Sequence, residues 1–231
     1  MDLNIMGRAM GIDHAAAREQ MVDTQIRPND VTDYDVLARF LSVPREEFVP
    51  APMVPLAYID DDIALLKEGH EPRHVLNPMS IAKLVQLADP KPNEVALDIG
   101  CGTGYSSAIL SGLVESVVAV ESRLDLQEKA QETLSSLGCD NVAVLCSPLV
   151  QGCPAEAPYD LIFIGAAVEQ IPEDVLCQLK DGGRLVCIEG QGTAGQGTKY
   201  IRTGDSYSRD LMFNAPGHPL PGFERPETFV F

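Results

Sequence analysis

From Glu94 onward, short apolar runs alternate with segments in which apolar residues recur at helical spacing. The apolar runs predict strands, and the amphipathic segments between them predict helices. The predicted strands are Glu94–Ile99, Ser116–Glu121, Asn141–Leu145, Asp160–Ile164 and Arg184–Ile188, and the predicted helices are Tyr105–Leu113, Leu124–Leu137 and Pro172–Leu179. Because strands that alternate with helices usually pair in parallel, this order indicates an α/β fold with a doubly wound, mostly parallel sheet.

The pattern changes on both sides of this region. Two runs, Lys199–Arg202 and Ser206–Phe213, flank Gly204-Asp205 and predict an antiparallel hairpin at one edge of the sheet. The first part of the chain predicts mainly helices, at Ala15–Ile26, Asp33–Leu41 and Ile81–Ala88. We therefore expect an N-terminal helical subdomain over residues 1–92 and an α/β core with its hairpin and tail over residues 93–231.

The first predicted strand of the core ends at Asp98 and continues into three glycines at every second position, Gly100, Gly102 and Gly104. Glycines let the backbone approach a flat ligand more closely than a Cβ would allow. The next strand ends in Glu121, whose carboxylate is placed to accept hydrogen bonds from a ribose diol. Together the two strand ends predict a nucleoside-cofactor site at the carboxyl edge of the sheet.

The spacing of the glycines indicates which cofactor binds. It is G-x-G-x-G and not the G-x-G-x-x-G of dinucleotide sites, and no phosphate-binding G-x-x-x-x-G-K-[ST] loop is present. S-adenosylmethionine lacks a phosphate and carries positive charge near its methionine end, which an acid such as Asp98 suits. The pattern favours this cofactor over NAD or FAD, and a purely structural glycine turn is the remaining alternative. The predicted contacts are Asp98, Gly100, Cys101, Gly102, Thr103, Gly104, Tyr105, Glu121, Ser122 and Ser147.

Composition narrows the classes of partner. The 231-residue chain is 45% hydrophobic and carries a formal net charge of −17. Nucleic-acid binding requires a basic surface, so we expect no nucleic-acid partner. Its six cysteines show no C-x-x-C spacing, which predicts buried reduced thiols and no metal site. The apolar run Leu161–Val168 is too short to span a bilayer and no leader pattern opens the chain, so we expect a cytoplasmic protein without membrane contact.

Several segments carry a resemblance to one family. In the N-terminal part they are Met21–Arg27, Val43–Pro50 and Leu56–Tyr58, and in the core they are the glycine loop, Pro158–Ala167 and Leu179–Val186. From about Met21 to Ile188 the chain resembles the protein-L-isoaspartate O-methyltransferases. The resemblance implies a class I methyltransferase core, S-adenosylmethionine as methyl donor and S-adenosylhomocysteine as product. It also implies an isoaspartyl protein or peptide as substrate, whose α-carboxylate is methylated to begin repair through a succinimide.

The acceptor side departs from the family pattern. Aligned on its final proline, the family signature Gly-Gln-Thr-Ile-Ser-x-Pro falls on residues 72–78. Leu76 stands where the resemblance implies a serine that contacts the substrate carboxylate, and His74 stands at the threonine. We hypothesise that His74, Asn77 or Arg73 donates the missing hydrogen bond; His74 and Asn77 are the predicted catalytic positions. The alternative is that Arg73 and His74 are exposed loop residues while Leu76 packs over the cofactor.

Two further segments bear on the chemistry. The family's Gly-Asp-Gly near the adenine falls on Ser147-Pro148-Leu149, and Pro148 has no carboxylate or N–H to offer. Gly165-Ala166-Ala167 replaces the Asn/Asp-Pro-Pro-aromatic sequence of amino-group methyltransferases, which favours an oxygen acceptor. A carboxylate acceptor is already ionised and needs no general base. Two other functions stay open, an O-methyltransferase for another acceptor and a non-catalytic protein that binds S-adenosylmethionine.

The remaining polar residues have simpler interpretations. His14, His70 and His218 lack metal-ligand spacing and are expected to be surface or loop residues. The run Asp60-Asp61-Asp62 is expected to be solvated. Arg27 is expected to form a structural salt bridge. The sequence leaves the oligomeric state open, with a monomer slightly favoured.

Overall fold

The computed structural model describes residues 12–65, 69–70, 72–190 and 192–225. These residues form a small two-stranded sheet and a large seven-stranded sheet. The strands are β1 (Ile63–Ala64), β2 (His74–Val75), β3 (Val95–Ile99), β4 (Ser116–Glu121), β5 (Val142–Cys146), β6 (Tyr159–Val168), β7 (Leu179–Glu189), β8 (Gln196–Thr203) and β9 (Ser206–Asn214).

The large sheet has the strand order β5-β4-β3-β6-β7-β8-β9. Strands β3 to β7 pair in parallel, and β8 and β9 add to the edge in antiparallel fashion. This confirms the predicted doubly wound sheet and the predicted C-terminal hairpin. The chain order reverses between β3 and β6, so a crevice is expected outside the carboxyl ends of these two strands.

Six α-helices surround the sheet in the described part of the chain: α1 (His14–Met21), α2 (Tyr34–Ser42), α3 (Pro78–Ala88), α4 (Tyr105–Ser111), α5 (Leu124–Ser136) and α6 (Glu173–Leu176). The helix predicted at Ala15–Ile26 is divided, because α1 passes into a π-helical turn at Val22–Ile26. Helix α3 begins earlier than predicted because Asn77 Oδ1 accepts a hydrogen bond from Ser80 N at 2.9 Å. No helix within the described ranges is long and apolar enough to cross a bilayer.

The helix predicted over Pro172–Leu179 is shorter than expected. Helix α6 is one short turn, and Leu179 is already the first residue of β7. The register of β7 against β6 shifts between Leu179 and Arg184, so Asp181-Gly182-Gly183 forms an irregularity inside the strand. Gly182 has φ 79°, a left-handed conformation that glycine adopts without steric cost.

The sheet buries apolar side chains on both faces. One cluster contains Phe40 and Phe48 from the N-terminal part together with Phe163 from β6, so it joins residues on both sides of position 92. The cluster on the other face includes Leu220 and Phe223, which come from beyond the hairpin. The sheet is therefore covered partly by the end of the chain.

Residues 216–223, here called the tail segment, return to the carboxyl end of β6. Ala167 N donates to His218 O at 2.9 Å, and Leu220 N donates to Ala167 O at 2.8 Å. Phe223 is buried, and its carbonyl accepts from the backbone N–H of Glu169 and Gln170. The tail segment is thus hydrogen-bonded along the edge of the crevice.

The six cysteines are all free. Cys101, Cys153 and Cys187 are buried, as expected, whereas Cys146 and Cys177 are exposed. Cys146 ends β5, which is an edge strand of the large sheet, so its side chain reaches solvent.

Candidate active site

The loop after β3 lies at the point where the strand order reverses. Its three glycines have positive φ angles, 76° at Gly100, 58° at Gly102 and 96° at Gly104. Residues with a Cβ adopt such angles only at a steric cost, so the loop depends on glycine. Gly100 N donates to Val120 O at 2.8 Å, which fastens the loop to the end of β4.

Glu121 joins the same loop through its side chain. Its carboxylate is fully buried, and Oε2 accepts a hydrogen bond from Gly102 N at 3.1 Å. Oε1 accepts from the backbone N–H groups of Ser122 and Arg123 at 2.8 and 3.0 Å. Arg73 Nε lies 3.3 Å from Oε1 in an ion pair that is almost completely buried. The structure therefore brings together the glycine loop and the acid that were paired from sequence.

The Asp98 carboxylate binds the first turn of α4. Its carboxylate is fully buried, and Oδ2 accepts hydrogen bonds from the hydroxyls of Ser106 and Ser107, both at 2.6 Å. Burial raises the pKa of Asp98 to about 6, against the serine hydrogen bonds, which lower it. Asp98 thus holds the first turn of α4 against β3. Its Oδ1 is buried without a hydrogen-bond partner among the described residues.

This raised pKa makes stability depend on pH. Because the native pKa of about 6 lies above the ordinary 3.8, the folded state binds more protons than the unfolded chain between these values. We therefore expect the wild type to lose stability relative to Asp98→Asn as pH rises from about 4 to about 6, by roughly 3 kcal/mol in total.

Urea titrations of both proteins at several pH values between 4 and 7 measure this difference. The asparagine oxygen keeps the hydrogen bonds from the two serines, so the comparison isolates the charge. Asp140→Asn, at an exposed position, is the control and should show no such change. A difference between wild type and Asp98→Asn that stays constant from pH 4 to 7 would contradict the assignment.

The side chains of two residues predicted at the cofactor site, Tyr105 and Thr103, point into the protein. The Tyr105 side chain is a core group, because its ring packs with Phe40 and Phe48 at centroid distances of 6.3 and 5.5 Å. The Arg45 guanidinium lies 4.9 Å from the centre of the same ring. The Thr103 hydroxyl donates to the carbonyl of Phe48. Both side chains therefore fasten the loop and α4 to the N-terminal part.

The segment around residue 76 is held from two sides. Leu76 is buried, and its carbonyl accepts from Arg45 Nη2 at 2.7 Å. Asn77 caps α3 through Oδ1, as described, and Nδ2 donates to Asp62 Oδ1 at 2.9 Å. Both ends of the Asn77 amide are thus used within the protein. The expectation that Asp62 is solvated is wrong, because these contacts bury its side chain to 9% exposure.

Arg73 lies on the side of the crevice formed by Glu121 and Ser122. Besides its ion pair with Glu121, its Nη2 donates to Ser122 Oγ at 2.8 Å. Arg73 is 5% exposed, so the alternative of an exposed loop residue does not hold for it. Arg27, by contrast, pairs with Asp23 at 3.0 Å on the surface, as expected.

His74 faces the remaining cavity of the crevice. Its ring stacks on that of His218, with ring centres 3.5 Å apart and planes 8° apart. The two histidines line this cavity with Leu76, Gly100 and Gly165, among others. Leu220 closes it, since Leu220 Cδ1 lies 2.8 Å from where a Cβ on Gly100 would stand. The space left is about 10 Å³.

Comparison with known proteins identifies the frame around this site. A family model described as Protein-L-isoaspartate(D-aspartate) O-methyltransferase (PCMT) matches residues 16–209. The chain belongs to this family.

Individual members of the family are similar to this chain over most of its length. Protein-L-isoaspartate O-methyltransferase 2 of Shewanella sediminis (strain HAW-EB3) is 38% identical over 210 residues, covering 88% of this chain and 84% of the relative. Protein-L-isoaspartate O-methyltransferase of Herpetosiphon aurantiacus is 35% identical over 205 residues, covering 89% and 90%.

Solved structures of the family share the architecture. One titled protein-L-isoaspartate O-methyltransferase superposes with a TM-score of 0.78 at 25% identity, covering 89% of this chain and 66% of that one. Another, a putative family member from Plasmodium falciparum in complex with S-adenosyl-L-homocysteine, has a TM-score of 0.70 at 19% identity and supports the fold. The predicted class I methyltransferase fold is confirmed.

Two residues of the site were missed by sequence reasoning. His218 was expected to be a surface or loop histidine, and it does lie in a loop, but its ring reaches the crevice. It stands outside residues 16–209, which the protein-L-isoaspartate O-methyltransferase model matches. Asp62 was placed in a solvated acidic run. The one signal for His218 was its position among the prolines and glycines of the tail segment, which indicates a turn and not a site.

Proposed function

We propose that this protein transfers the methyl group of S-adenosylmethionine to the α-carboxylate of L-isoaspartyl residues in damaged proteins. The observation that carries the proposal is the glycine loop bonded to Glu121 at the reversal of the strand order, in a chain of the protein-L-isoaspartate O-methyltransferase family. The relatives from Shewanella sediminis and Herpetosiphon aurantiacus are both named protein-L-isoaspartate O-methyltransferases.

The residues at the crevice suit an adenosyl cofactor. Gly100 and Gly102 present bare backbone, and Glu121 Oε2 accepts only one hydrogen bond from the described residues. A carboxylate oxygen has room for a second, which a ribose hydroxyl would supply. Ser122 and Ser147 lie at the ends of the neighbouring strands, where Ser147 N donates to the carbonyl of Glu121 at 3.1 Å. When bound, S-adenosylmethionine supplies an activated methyl group and leaves as S-adenosylhomocysteine.

The tail segment has to adjust to such a ligand. Small-molecule sites usually enclose about 300–1,000 Å³, whereas the cavity beside Gly100 measures about 10 Å³. Since Leu220 closes this end, we propose that its side chain shifts when the cofactor enters. Pro148 is exposed beside Ser147, so recognition of the adenine rests on backbone and apolar contacts there.

The chemistry requires positioning and no proton transfer. A carboxylate oxygen forms the new bond to carbon while the carbon–sulfur bond of the sulfonium breaks and its electrons return to sulfur. Holding the two reactants in line supplies up to about 7–11 kcal/mol of the barrier reduction. We propose that the N-terminal part, residues 1–92, forms the acceptor side, because Leu76 and His74 line the cavity next to the glycine loop.

Transfer of label from S-adenosylmethionine to a matched pair of peptides, one isoaspartyl and one aspartyl, tests the proposal. We expect base-labile label on the isoaspartyl peptide alone, because the ester of a carboxylate hydrolyses in base. The absence of label on both, from protein that binds S-adenosylhomocysteine, would contradict it. Label on both peptides would show an acceptor other than the isoaspartyl residue.

A further inference from the structure

Three ionisable side chains from separate parts of the chain meet at the acceptor side of the crevice. Asp62 precedes β1, His74 begins β2, and His218 belongs to the tail segment. His218 Nε2 lies 3.4 Å from Asp62 Oδ2, and the two imidazole rings are stacked. This cluster has no part in the cofactor contacts described above.

Hydrogen bonds from Asn77 hold the Asp62 carboxylate in place. Its Oδ1 accepts hydrogen bonds from Asn77 N at 2.6 Å and Asn77 Nδ2 at 2.9 Å. Oδ2 is left to face His218, and an aspartate in this position favours a proton on the Nε2 it faces. The other ring nitrogen of His218, Nδ1, is a lone-pair acceptor in the neutral ring and a donor in the protonated ring.

The two stacked rings have different surroundings. Burial, helped by the neighbouring His218 and Arg73 and opposed by Asp62, lowers the pKa of His74 to about 4. His74 is therefore neutral near pH 7. His218 is half exposed, and its Nε2 faces the Asp62 carboxylate.

The stacked histidines lie beside Leu76, the position at which the family signature has a serine. His74, His218 and Leu76 line the same cavity as Gly100 and Gly165. Leu76 occupies the place where the family signature has a serine hydroxyl, and a leucine side chain donates no hydrogen bond. An acceptor carboxylate in this cavity lacks that donor but lies beside an imidazole that can carry positive charge.

We propose that His218, oriented by Asp62, binds the acceptor carboxylate through its Nδ1–H. The tail segment then supplies the group that the segment at residues 72–78 has lost. This inference rests on the proposed function, since it names the residue that recognises the carboxylate. The backbone hydrogen bonds between the tail segment and Ala167 set the position of the His218 ring.

Steady-state kinetics of His218→Asn with the isoaspartyl peptide test the proposal. The variant loses a hydrogen bond to a charged group. KM should therefore rise about 10- to 100-fold, while kcat should change little. Asp62→Asn should raise KM by less, because it removes the carboxylate that orients His218 and keeps the imidazole.

Two controls separate this role from a structural one. His70→Asn, at an exposed histidine, should leave KM unchanged. Binding of the isoaspartyl peptide and of its α-carboxamide analogue to protein loaded with S-adenosylhomocysteine gives a readout that needs no turnover. The wild type should prefer the carboxylate, and His218→Asn should bind both peptides equally.

The outcomes distinguish the two proposals. A wild type that methylates the isoaspartyl peptide, with a KM matched by His218→Asn within twofold, would overturn the role of His218 alone. A wild type that neither binds nor methylates the isoaspartyl peptide would overturn the proposed function and this inference together. If His218→Asn weakened binding of the carboxylate and carboxamide peptides alike, the effect would come from displacement of the tail segment, and the role of His218 would also be overturned.

Discussion

Replacing Glu121 with alanine should lower the free energy of unfolding by about 3–5 kcal/mol and abolish binding of S-adenosylhomocysteine. The loss is large because the carboxylate is fully buried and has several partners in the protein. Without it the Arg73 guanidinium, 5% exposed, stays buried with no carboxylate. Three backbone N–H groups, those of Gly102, Ser122 and Arg123, lose their acceptor.

Urea denaturation and calorimetric titration with S-adenosylhomocysteine measure the two effects. Glu115→Ala is the matched control, since Glu115 precedes the first residue of the same strand and is exposed. Glu121→Gln keeps the shape and one oxygen, so its stability should fall between wild type and alanine while the ion pair is lost. If Glu121→Ala folds with less than about 1 kcal/mol of loss and retains affinity, Glu121 does not organise the loop.

The same residue shows what could be predicted from sequence. The strand that ends in Glu121 and the strand before the glycines are continuous apolar runs, and such runs are typical of parallel strands buried on both faces. Parallel neighbours bring their carboxyl ends to one edge, so the meeting of Glu121 with Gly102 follows from order alone. The prediction succeeds because each step is local or is fixed by the connection rules of the sheet.

The acceptor side could not be predicted in this way. Asp62 and His218 meet only because the tail segment pairs with β6 beside Ala167, and nothing in the local pattern of either residue indicates that pairing. The direction of the Tyr105 side chain could not be decided from sequence for a related reason. The first residue of a helix after a glycine loop can face either the ligand or the core. The Tyr105 ring faces the core because it packs against Phe48.

Arg45 connects these two regions, and its replacement by alanine should cost about 3–5 kcal/mol of unfolding free energy. The side chain is fully buried, and burial lowers the pKa of the guanidinium. Nε donates to Ala57 O at 2.8 Å and Nη2 donates to Leu76 O at 2.7 Å. Alanine would leave both carbonyls buried without a donor and open a cavity next to Tyr105.

The consequence for activity follows from the second hydrogen bond. Leu76 precedes Asn77, and Asn77 donates a hydrogen bond to Asp62. If the Leu76 carbonyl loses its donor, the position of the Asp62 carboxylate, which orients His218, becomes less fixed. Arg45→Ala should therefore raise KM for the isoaspartyl peptide as well as shift the urea midpoint. Arg27→Ala, which removes an exposed ion pair, serves as control and should cost at most about 1 kcal/mol. A large stability loss with an unchanged KM would separate Arg45 from the acceptor side and confine it to packing.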